Sequence, residues 1–447
     1  MTGGEPSLRS PDDPRTEFER DYGRCIFSTP VRRLQDKAQI FPLVQHDAVR
    51  TRLTHSVEVS SVARGLATEI GRWLCERKAM EAKYAQAIET IAATCGMIHD
   101  LGNPPFGHAG EQAISDWFKR SFKGEKTFGG KRPLAKDFTQ WEGNAQTIRL
   151  VSRLQVLADE YGLNLTCGTF SAASKYLAAA DKTDPTKHEW RKPGFFASEA
   201  EVVARVREQV GTGDARNPIA YIVEAADDIV YCTVDLEDGI KKRIFPWDRL
   251  EQELRENADK CPHLERALSF ARQKIGSSVP RTMKDDCLIQ AFRTYAINEL
   301  AVSVIDEFKR KYSGIMKGDY HGELTQDCSA SPMLKACKAF LKEVVYKCDE
   351  ILRLELLGRR VICDLLTIFW EGASTCSHVV DAGTFPNKAY LLMSDNYRRV
   401  LEQSLEKTLK RGKSMPELYC RIQLVCDYVA GMTDTFASNL HKRLMNG

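Results

Sequence analysis

Residues 99–111 read HDLGNPPFGHAGE, and this stretch says most about the fold of the chain. The apolar run 91–98 just before it is typical of the end of a buried helix. The neighbouring imidazole and carboxylate of His99 and Asp100 suit a divalent cation of borderline hardness. His108 and Glu111 are three positions apart, so on a helix they share a face where the carboxylate can orient the imidazole for proton transfer. The stretch therefore points to metal-assisted hydrolysis.

Composition excludes several classes of protein. The chain has 447 residues, enough for a large core and for two or three domains. Lys and Arg number 64 against 61 Asp and Glu, a balance that argues against a nucleic-acid coat protein. The N-terminus lacks a signal pattern and no apolar run reaches membrane-spanning length, which predicts a cytoplasmic protein without membrane contact. The 14 cysteines form no Cys-x-x-Cys pair, and we interpret them as reduced thiols that neither bind metal nor form disulfides.

The spacing of apolar residues predicts an all-α fold. Lys241–Phe245 is one weak candidate for a strand, and Gln39 falls on a predicted helix over 30–41. We expect a flexible N-terminal arm over 1–20, a helical catalytic core over 21–245 and a helical extension over 246–447. A period near 3.6 residues recurs in 145–160, 198–211, 217–240, 247–275, 283–312, 331–371 and 389–442.

Two other helices offer further metal ligands. His55 opens a long amphipathic helix, and Asp227, Tyr231 and Asp235 recur every four residues in an apolar helix, so they share one face. Carboxylates on a core-facing side are costly unless they are paired or bound to metal. Alternatives to metal binding stay open at these positions. His55 can be a surface or helix-capping histidine, and Asp227 can form a salt bridge while Asp228 is solvated.

These residues carry a family resemblance. The order His55, His99-Asp100, Asp227 resembles the four-ligand pattern of the HD-domain phosphohydrolases. Further sequence motifs narrow the resemblance to the bacterial deoxyguanosine triphosphate triphosphohydrolases. The matching motifs are dense over 22–239 and patchy afterwards. It implies an HD-domain helical core with a helical C-terminal extension, and that the extension over 246–447 completes the nucleotide pocket and the oligomer contacts. These motifs are FSTPVRRLQ at 27–35, RTRLTHS at 50–56, HDLGNPPFGHAGE at 99–111, EGNAQ at 142–146, EAADD at 224–228, LNLT at 163–166 and SDNYRR at 394–399.

The resemblance implies a reaction and a cofactor. Members of this family cut a deoxynucleoside triphosphate at the α-phosphorus, which gives a deoxynucleoside and intact triphosphate, and dGTP is the expected substrate. His55, His99, Asp100 and Asp227 would hold a divalent metal ion, Mg²⁺ or Mn²⁺, although such donors also accept Fe²⁺, Co²⁺ or Zn²⁺. His108 would be the acid/base group, acting on either the leaving oxygen or the water.

Glu111 would hold His108 in the required tautomer. A helix-capping His108 beside a surface Glu111 is the alternative interpretation. The other expected contacts are with substrate, and for the lysines ordinary surface charge is an equal alternative. The substrate candidates are Arg52 and Tyr231 for phosphate, Lys175 and Lys192 for the outer phosphates, Asp235 for the sugar 3′ hydroxyl, Gln39 for base and sugar, Asn103 beside the ligands, and Tyr397 or Phe385 as an aromatic floor.

Two other functions remain open at this stage. One is a broad-specificity dNTP triphosphohydrolase or another HD nucleotide phosphodiesterase. The other is binding of single-stranded DNA as a regulator, through basic groups at 241–243, 309–311 and 407–413, whose usual meaning is a solvated helix face. Relatives form homo-oligomers, commonly hexamers, so we expect a homo-oligomer here.

Overall fold

The structure, a computed structural model, describes residues 1–3, 12–43, 48–122, 127–128, 132–155, 161–258, 260–276, 279–375, 383–411 and 415–446. Helices dominate these residues, and the predicted all-α class is confirmed. In chain order the helices are α1 (Glu17–Ile26), α2 (Thr29–Arg33), α3 (Arg52–Glu76), α4 (Ala85–Ile98), α5 (Gly107–Ser121), α6 (Arg132–Thr139), α7 (Gly143–Arg149), α8 (Cys167–Ala173), α9 (Ala200–Val210), α10 (Pro218–Lys241), α11 (Trp247–Asn257), α12 (Pro262–Lys274), α13 (Lys284–Lys317), α14 (Leu324–Asp327), α15 (Ser331–Phe340), α16 (Asp349–Thr375), α17 (Phe385–Leu392), α18 (Asp395–Arg411), α19 (Glu417–Ala430) and α20 (Asp434–Asn446).

The strands lie elsewhere than the sequence indicated. Strands β1 (Ala178–Ala179) and β2 (Pro193–Phe195) form a short parallel pair. The expected strand at Lys241–Phe245 is wrong, because α10 continues to Lys241 and Arg243 has a φ of 57°. A left-handed residue ends a helix and reverses the chain, which an extended strand cannot accommodate.

The chain folds into two compact units, each assembled from separate stretches of sequence. The first contains Met1–Ala38, Ile98–Asp214 and Leu354–Gly447, and the second contains Gln39–Met97 and Ala215–Arg353. Within the first, Thr2 donates its backbone N–H to the Leu165 oxygen at 2.8 Å, and helix α1 begins at Glu17. The arm, core and extension expected from the sequence remain a prediction.

The second unit is built around α10. This helix packs on α3 and α13, and its residues from Ala220 to Ile240 are buried apart from a few on one face. Helices α3 and α4 touch through their backbones: a Cβ on Gly96 would lie 2.8 Å from the Ser60 Cα. The Ser60 hydroxyl donates to the Ala93 oxygen at 2.8 Å, which satisfies a polar group in this tight contact.

An ionic cluster holds the first unit together around Arg149. This side chain lies in the core, and its guanidinium donates to both Asp427 carboxylate oxygens, at 2.7–2.9 Å. It also donates to Glu199 at 2.9 Å. Asp427 lies on α19 and Glu199 just before α9, so one buried cation joins α7 to two segments far away in sequence.

We predict that Arg149→Ala strongly destabilises the protein. The substitution removes the cation that Asp427 shares with Glu199 and leaves Glu199 with Arg153 at 3.6 Å, and breaking a buried ion pair in this way costs about 3–5 kcal/mol. Thermal unfolding followed by circular dichroism should show a clear drop in Tm. Arg72→Ala is the matched control, because Arg72 pairs with Glu69 on an exposed surface and such pairs contribute about 0–1 kcal/mol. Equal Tm values for the two variants would contradict the prediction.

Candidate active site

Helix α4 ends at Ile98, and the turn that follows carries the predicted ligands His99 and Asp100. Their side chains are mostly buried, with His99 Nε2 lying 3.6 Å from Asp100 Oδ1. Asn103 donates its side-chain amide to the same Asp100 oxygen at 2.6 Å. A short, charge-assisted hydrogen bond of this kind fixes the direction of a carboxylate. The turn therefore presents its imidazole and carboxylate in a defined arrangement.

Gly102 allows this turn to lie directly against the start of α7. Its N–H donates to the Thr147 hydroxyl at 2.9 Å. A Cβ at position 102 would lie only 2.0 Å from the Gly143 oxygen and 2.3 Å from the Thr147 nitrogen. Both neighbours are backbone atoms that cannot rotate away, so any side chain at this position would displace the turn.

Two charged residues that sequence analysis missed hold the turn from the other side. Lys37 is 3% exposed, and its Nζ donates to the backbone oxygens of Asn103, at 2.5 Å, and Ala430, at 2.9 Å. Asp434 accepts the N–H of Phe106 at 2.9 Å, although Phe106 has a left-handed φ of 62°. Such strain persists only where the surroundings impose it. No sequence pattern distinguishes these two from surface charges.

His108 and Glu111 form the predicted pair on one face of α5. His108 Nδ1 lies 2.8 Å from Glu111 Oε2, and the other carboxylate oxygen accepts the Gly143 N–H at 2.9 Å. Because a carboxylate only accepts, the contact assigns the Nδ1 hydrogen of His108 to Glu111. The His108 side chain is 89% exposed, while that of Glu111 is 11% exposed. A fixed carboxylate thus orients an accessible imidazole, and its catalytic role stays a prediction.

In the second unit, His55 meets Asp227. His55 is the fourth residue of α3 and is 1% exposed, so the alternative of a surface histidine is wrong. Its Nε2 lies 3.2 Å from Asp227 Oδ1 on α10. Asp228 is buried rather than solvated: it accepts the Thr325 hydroxyl at 2.6 Å and pairs with Lys338 at 3.0 Å. Of the two neighbouring carboxylates, Asp227 is the one that faces a histidine.

Tyr231 and Asp235 lie one and two helical turns beyond Asp227 on α10. Burial raises the pKa of Asp235 well above its usual range, although a hydrogen bond from the Tyr346 hydroxyl, at 2.9 Å, acts in the opposite direction. Among the described residues its other oxygen has no hydrogen-bond partner. Burial also raises the pKa of Tyr231, whose ring centre lies 5.3 Å from Lys338 Nζ. Tyr346 and Lys338 were not foreseen.

The remaining candidates of the second unit are Gln39 and Arg52. Arg52 is 7% exposed and is the first residue of α3. The helix predicted over 30–41 is wrong at its end, because the helical turns stop at Asp36 and Lys37 adopts an extended conformation. The hydrogen bonds that Lys37 makes hold the chain out of the helix there. Gln39 therefore lies in a loop, and in the described structure its buried Oε1 accepts no hydrogen bond.

The remaining candidates of the first unit differ in their surroundings. Lys192 Nζ pairs with Glu142 at 2.9 Å, and the Glu142 charge raises the pKa of Lys192 against the opposing effect of burial. Lys175 is partly exposed just after α8. Tyr397 is 6% exposed and its hydroxyl accepts from Arg33 at 3.0 Å, so its ring is packed inside this unit. Phe385 is 84% exposed.

The basic groups considered for DNA binding are largely paired within the chain. Lys241 pairs with Glu237 and Lys242 with Glu350. Arg243 and Arg310 also meet carboxylates, as does Lys311. The side chains of 407–413 lie outside the described residues. These contacts favour solvated helix faces, and the DNA-binding hypothesis stays a prediction.

Comparison with known proteins identifies the family. An HD domain matches residues 52–186, and a phosphohydrolase-associated domain matches residues 388–443. A deoxyguanosinetriphosphate triphosphohydrolase-like protein of Listeria innocua serovar 6a is 33% identical over 97% of this chain and 94% of its own length. The chain belongs to the HD-domain deoxyguanosinetriphosphate triphosphohydrolase family. Proteins named deoxyguanosinetriphosphate triphosphohydrolase from Klebsiella pneumoniae (strain 342), at 32% identity, and Enterobacter sp. (strain 638), at 33%, each cover 98% of the chain and 96% of their own length.

Membership confirms the family predicted from the sequence and makes the chain an HD-domain hydrolase. The HD match includes His55, His99, Asp100, His108 and Glu111, whereas Asp227 lies beyond its end. No described helix has the length and apolarity needed to cross a membrane.

We predict that Gly143→Ala lowers hydrolase turnover by at least about tenfold while the protein stays folded, since a misplacement near 1 Å can cost about a hundredfold. The new Cβ would lie 2.3 Å from Asn103 Oδ1 and 2.7 Å from Glu111 Oε1, so it displaces both polar groups. Turnover and circular dichroism check the two parts. Gly23→Ala is the control, because a Cβ there meets nothing within 4 Å. Normal turnover in Gly143→Ala would refute the positioning role.

Proposed function

We propose that this protein is a metal-dependent dNTP triphosphohydrolase that prefers dGTP and releases deoxyguanosine and inorganic triphosphate. The observation that carries the proposal is the oriented pair of His108 and Glu111 on α5, the helix that follows the anchored turn bearing His99 and Asp100. Family membership supports it, because the relatives above carry the name of this reaction. A broad-specificity dNTP enzyme is the competing outcome of the test below.

The residues proposed to hold the metal ion are His55, His99, Asp100 and Asp227. Two neutral imidazoles and two carboxylates nearly neutralise a dication, and this donor set accepts Mg²⁺ or Mn²⁺ and also Fe²⁺, Co²⁺ or Zn²⁺. The 3.2 Å between His55 Nε2 and Asp227 Oδ1 fits two ligands of one ion, since bonds of about 2.1 Å at right angles place their ends about 3 Å apart. When bound, the ion supplies Lewis-acid polarisation of a phosphate oxygen and activation of water.

His108 moves the proton in this proposal. Its Nδ1 hydrogen is held by Glu111, so Nε2 exchanges a proton with the reacting group. The imidazolium that forms is stabilised by the Glu111 carboxylate, which the Gly143 N–H keeps in place. Oriented acid/base groups of this kind contribute about 10²–10⁴-fold to a rate.

The substrate contacts in this proposal divide by chemistry. Arg52, Lys175 and Lys192 neutralise the charge of the triphosphate. Lys192 is ion-paired with Glu142 and exchanges this partner for a phosphate oxygen when substrate binds. Burial keeps the Tyr231 phenol protonated, so it donates to a phosphate oxygen. The unpartnered oxygen of Asp235 takes the sugar 3′ hydroxyl.

Gln39, Asn103 and Tyr397 complete the proposed nucleotide contacts. Gln39 brings an unpartnered carbonyl oxygen to the base or sugar. Asn103 orients Asp100 by donating a hydrogen bond to it. Tyr397 is packed and accepts a hydrogen bond from Arg33, so its proposed contribution is to position Arg33. Homo-oligomer formation stays a prediction.

We predict that dGTP is turned over faster than dATP, dCTP or dTTP in the presence of Mn²⁺ or Mg²⁺. Chromatography of the products should show deoxyguanosine and triphosphate in equal amounts, because the bond to the α-phosphorus is the one broken. Equal rates for the four substrates would favour the broad-specificity enzyme. Release of phosphate or pyrophosphate in place of triphosphate would rule out the proposed reaction.

We predict that Asp100→Ala and His108→Ala fail in different ways. Asp100→Ala loses bound metal and activity together because it removes a ligand, whereas His108→Ala retains the metal and loses about 10²–10⁴-fold in kcat. Elemental analysis of the dialysed proteins measures the metal, and triphosphate release measures the rate. Glu76→Ala, at the exposed C-terminal end of α3, is a control expected to keep both. Normal metal content in Asp100→Ala would remove Asp100 from the ligand set.

A further inference from the structure

A serine, a histidine and a glutamate of the second unit are linked by hydrogen bonds outside every proposed site. Ser329 Oγ lies 3.0 Å from His263 Nε2, and His263 Nδ1 lies 2.7 Å from Glu299 Oε2. They come from three segments: His263 from α12, Glu299 from α13, and Ser329 from the loop before α15. None lies in the residues matched to the HD or phosphohydrolase-associated domains. Their assembly is a product of the fold rather than of sequence proximity.

The contacts of His263 assign the hydrogen that lies between this residue and Ser329. Ser303 Oγ accepts the Ala330 N–H at 2.9 Å and lies 2.9 Å from Ser329 Oγ. His263 Nδ1 lies 2.7 Å from Glu299 Oε2 and 3.0 Å from Arg266 Nη2, and the shorter contact, to the carboxylate, assigns the Nδ1 hydrogen to Glu299. Nε2 is then the acceptor that faces Ser329 Oγ at 3.0 Å. In this arrangement a neutral imidazole stands ready to take the serine proton.

Arg266 keeps the carboxylate of this group ionised. Its guanidinium donates to both oxygens of Glu299, at 3.1 and 2.6 Å, and this hydrogen bonding lowers the pKa of Glu299. An ionised Glu299 orients the imidazole and stabilises the imidazolium formed when His263 takes a proton. His263 and Glu299 are both mostly buried, with side chains 18% and 10% exposed, whereas Ser329 is exposed. An exposed hydroxyl thus faces a base held in a sheltered position.

We propose that Ser329 is a nucleophilic serine, activated by His263 and positioned by Glu299, that reacts with small activated esters. Helix α15 begins two residues later, and the positive end of its dipole favours the negative charge that develops on an attacked ester. This activity goes beyond the nucleotide hydrolysis proposed above and uses none of its residues.

The proposed step balances as an acyl transfer. Ser329 Oγ attacks the ester carbonyl carbon and its proton passes to His263 Nε2. The carbon–oxygen bond to the leaving group breaks and the leaving oxygen takes the electron pair, with the proton returning from His263 where the leaving oxygen is basic. Where the leaving oxygen is not basic, His263 releases that proton to solvent. The neutral imidazole then takes a proton from water as the water oxygen attacks the acyl carbon, and it gives this proton to Ser329 Oγ as the bond between Ser329 and the acyl carbon breaks and the acid departs.

The test is covalent labelling of the full-length protein with a fluorophosphonate probe. Formation of the Ser329 oxygen–phosphorus bond expels fluoride and adds one probe per chain, which intact-mass and peptide mass spectrometry locate. We expect labelling at Ser329, none at that position in Ser329→Ala, and a rate at least tenfold lower in His263→Gln. The same two variants should lose hydrolysis of p-nitrophenyl acetate while dNTP hydrolysis is unchanged, which shows that they are folded.

Ser313→Ala is the matched control, because Ser313 is an exposed serine on α13. It should label like the unchanged protein. Absence of an adduct at Ser329 in the unchanged protein would overturn the proposal, as would an undiminished labelling rate in His263→Gln. Since dNTP hydrolysis is measured separately on the same samples, failure of this proposal is distinguishable from failure of the nucleotide-hydrolysing function.

Discussion

The candidate site of the first unit depends on backbone contact between the turn after α4 and the start of α7. At Gly102 this contact leaves no space for a Cβ, and the Gly143 N–H on the other side of it holds the Glu111 carboxylate. The contact therefore sets two things together: the path of the turn that bears His99 and Asp100, and the orientation of the carboxylate behind His108. Because these neighbours are backbone atoms, the arrangement is rigid in a way that side-chain packing alone would not give.

Charged residues from distant parts of the chain stabilise this arrangement. Lys37 and Asp434 both bind backbone atoms of the turn, and Asp434 belongs to the segment matched to the phosphohydrolase-associated domain. Asp427, also in that segment, supports α7 through Arg149. In this unit the associated segment therefore acts as structural support for HD-domain residues. Buried charges serve well in such a role, since losing one partner leaves the other uncompensated.

Sequence analysis was most successful where the spacing of residues along one helix carried the information. The pair His108 and Glu111 follows from a separation of three on α5, and the face shared by Asp227 and Asp235 follows from a separation of eight on α10. It failed where a distant residue decided the local conformation. Gln39 lies outside the predicted helix because Lys37 is anchored elsewhere, and Asp228 is buried because Thr325 and Lys338 reach it.

The sequence by itself determined the helical class, the family and the residue types available for metal and proton chemistry, because periodicity and motif order are properties of the chain alone. Tertiary structure decided which of those groups are oriented and by what. It brought the Tyr346 hydroxyl into a hydrogen bond with Asp235 and paired Glu142 with Lys192. It also joined Ser329, His263 and Glu299, which come from three separate segments. Contacts between residues so far apart depend on how the helices pack, which no local pattern specifies.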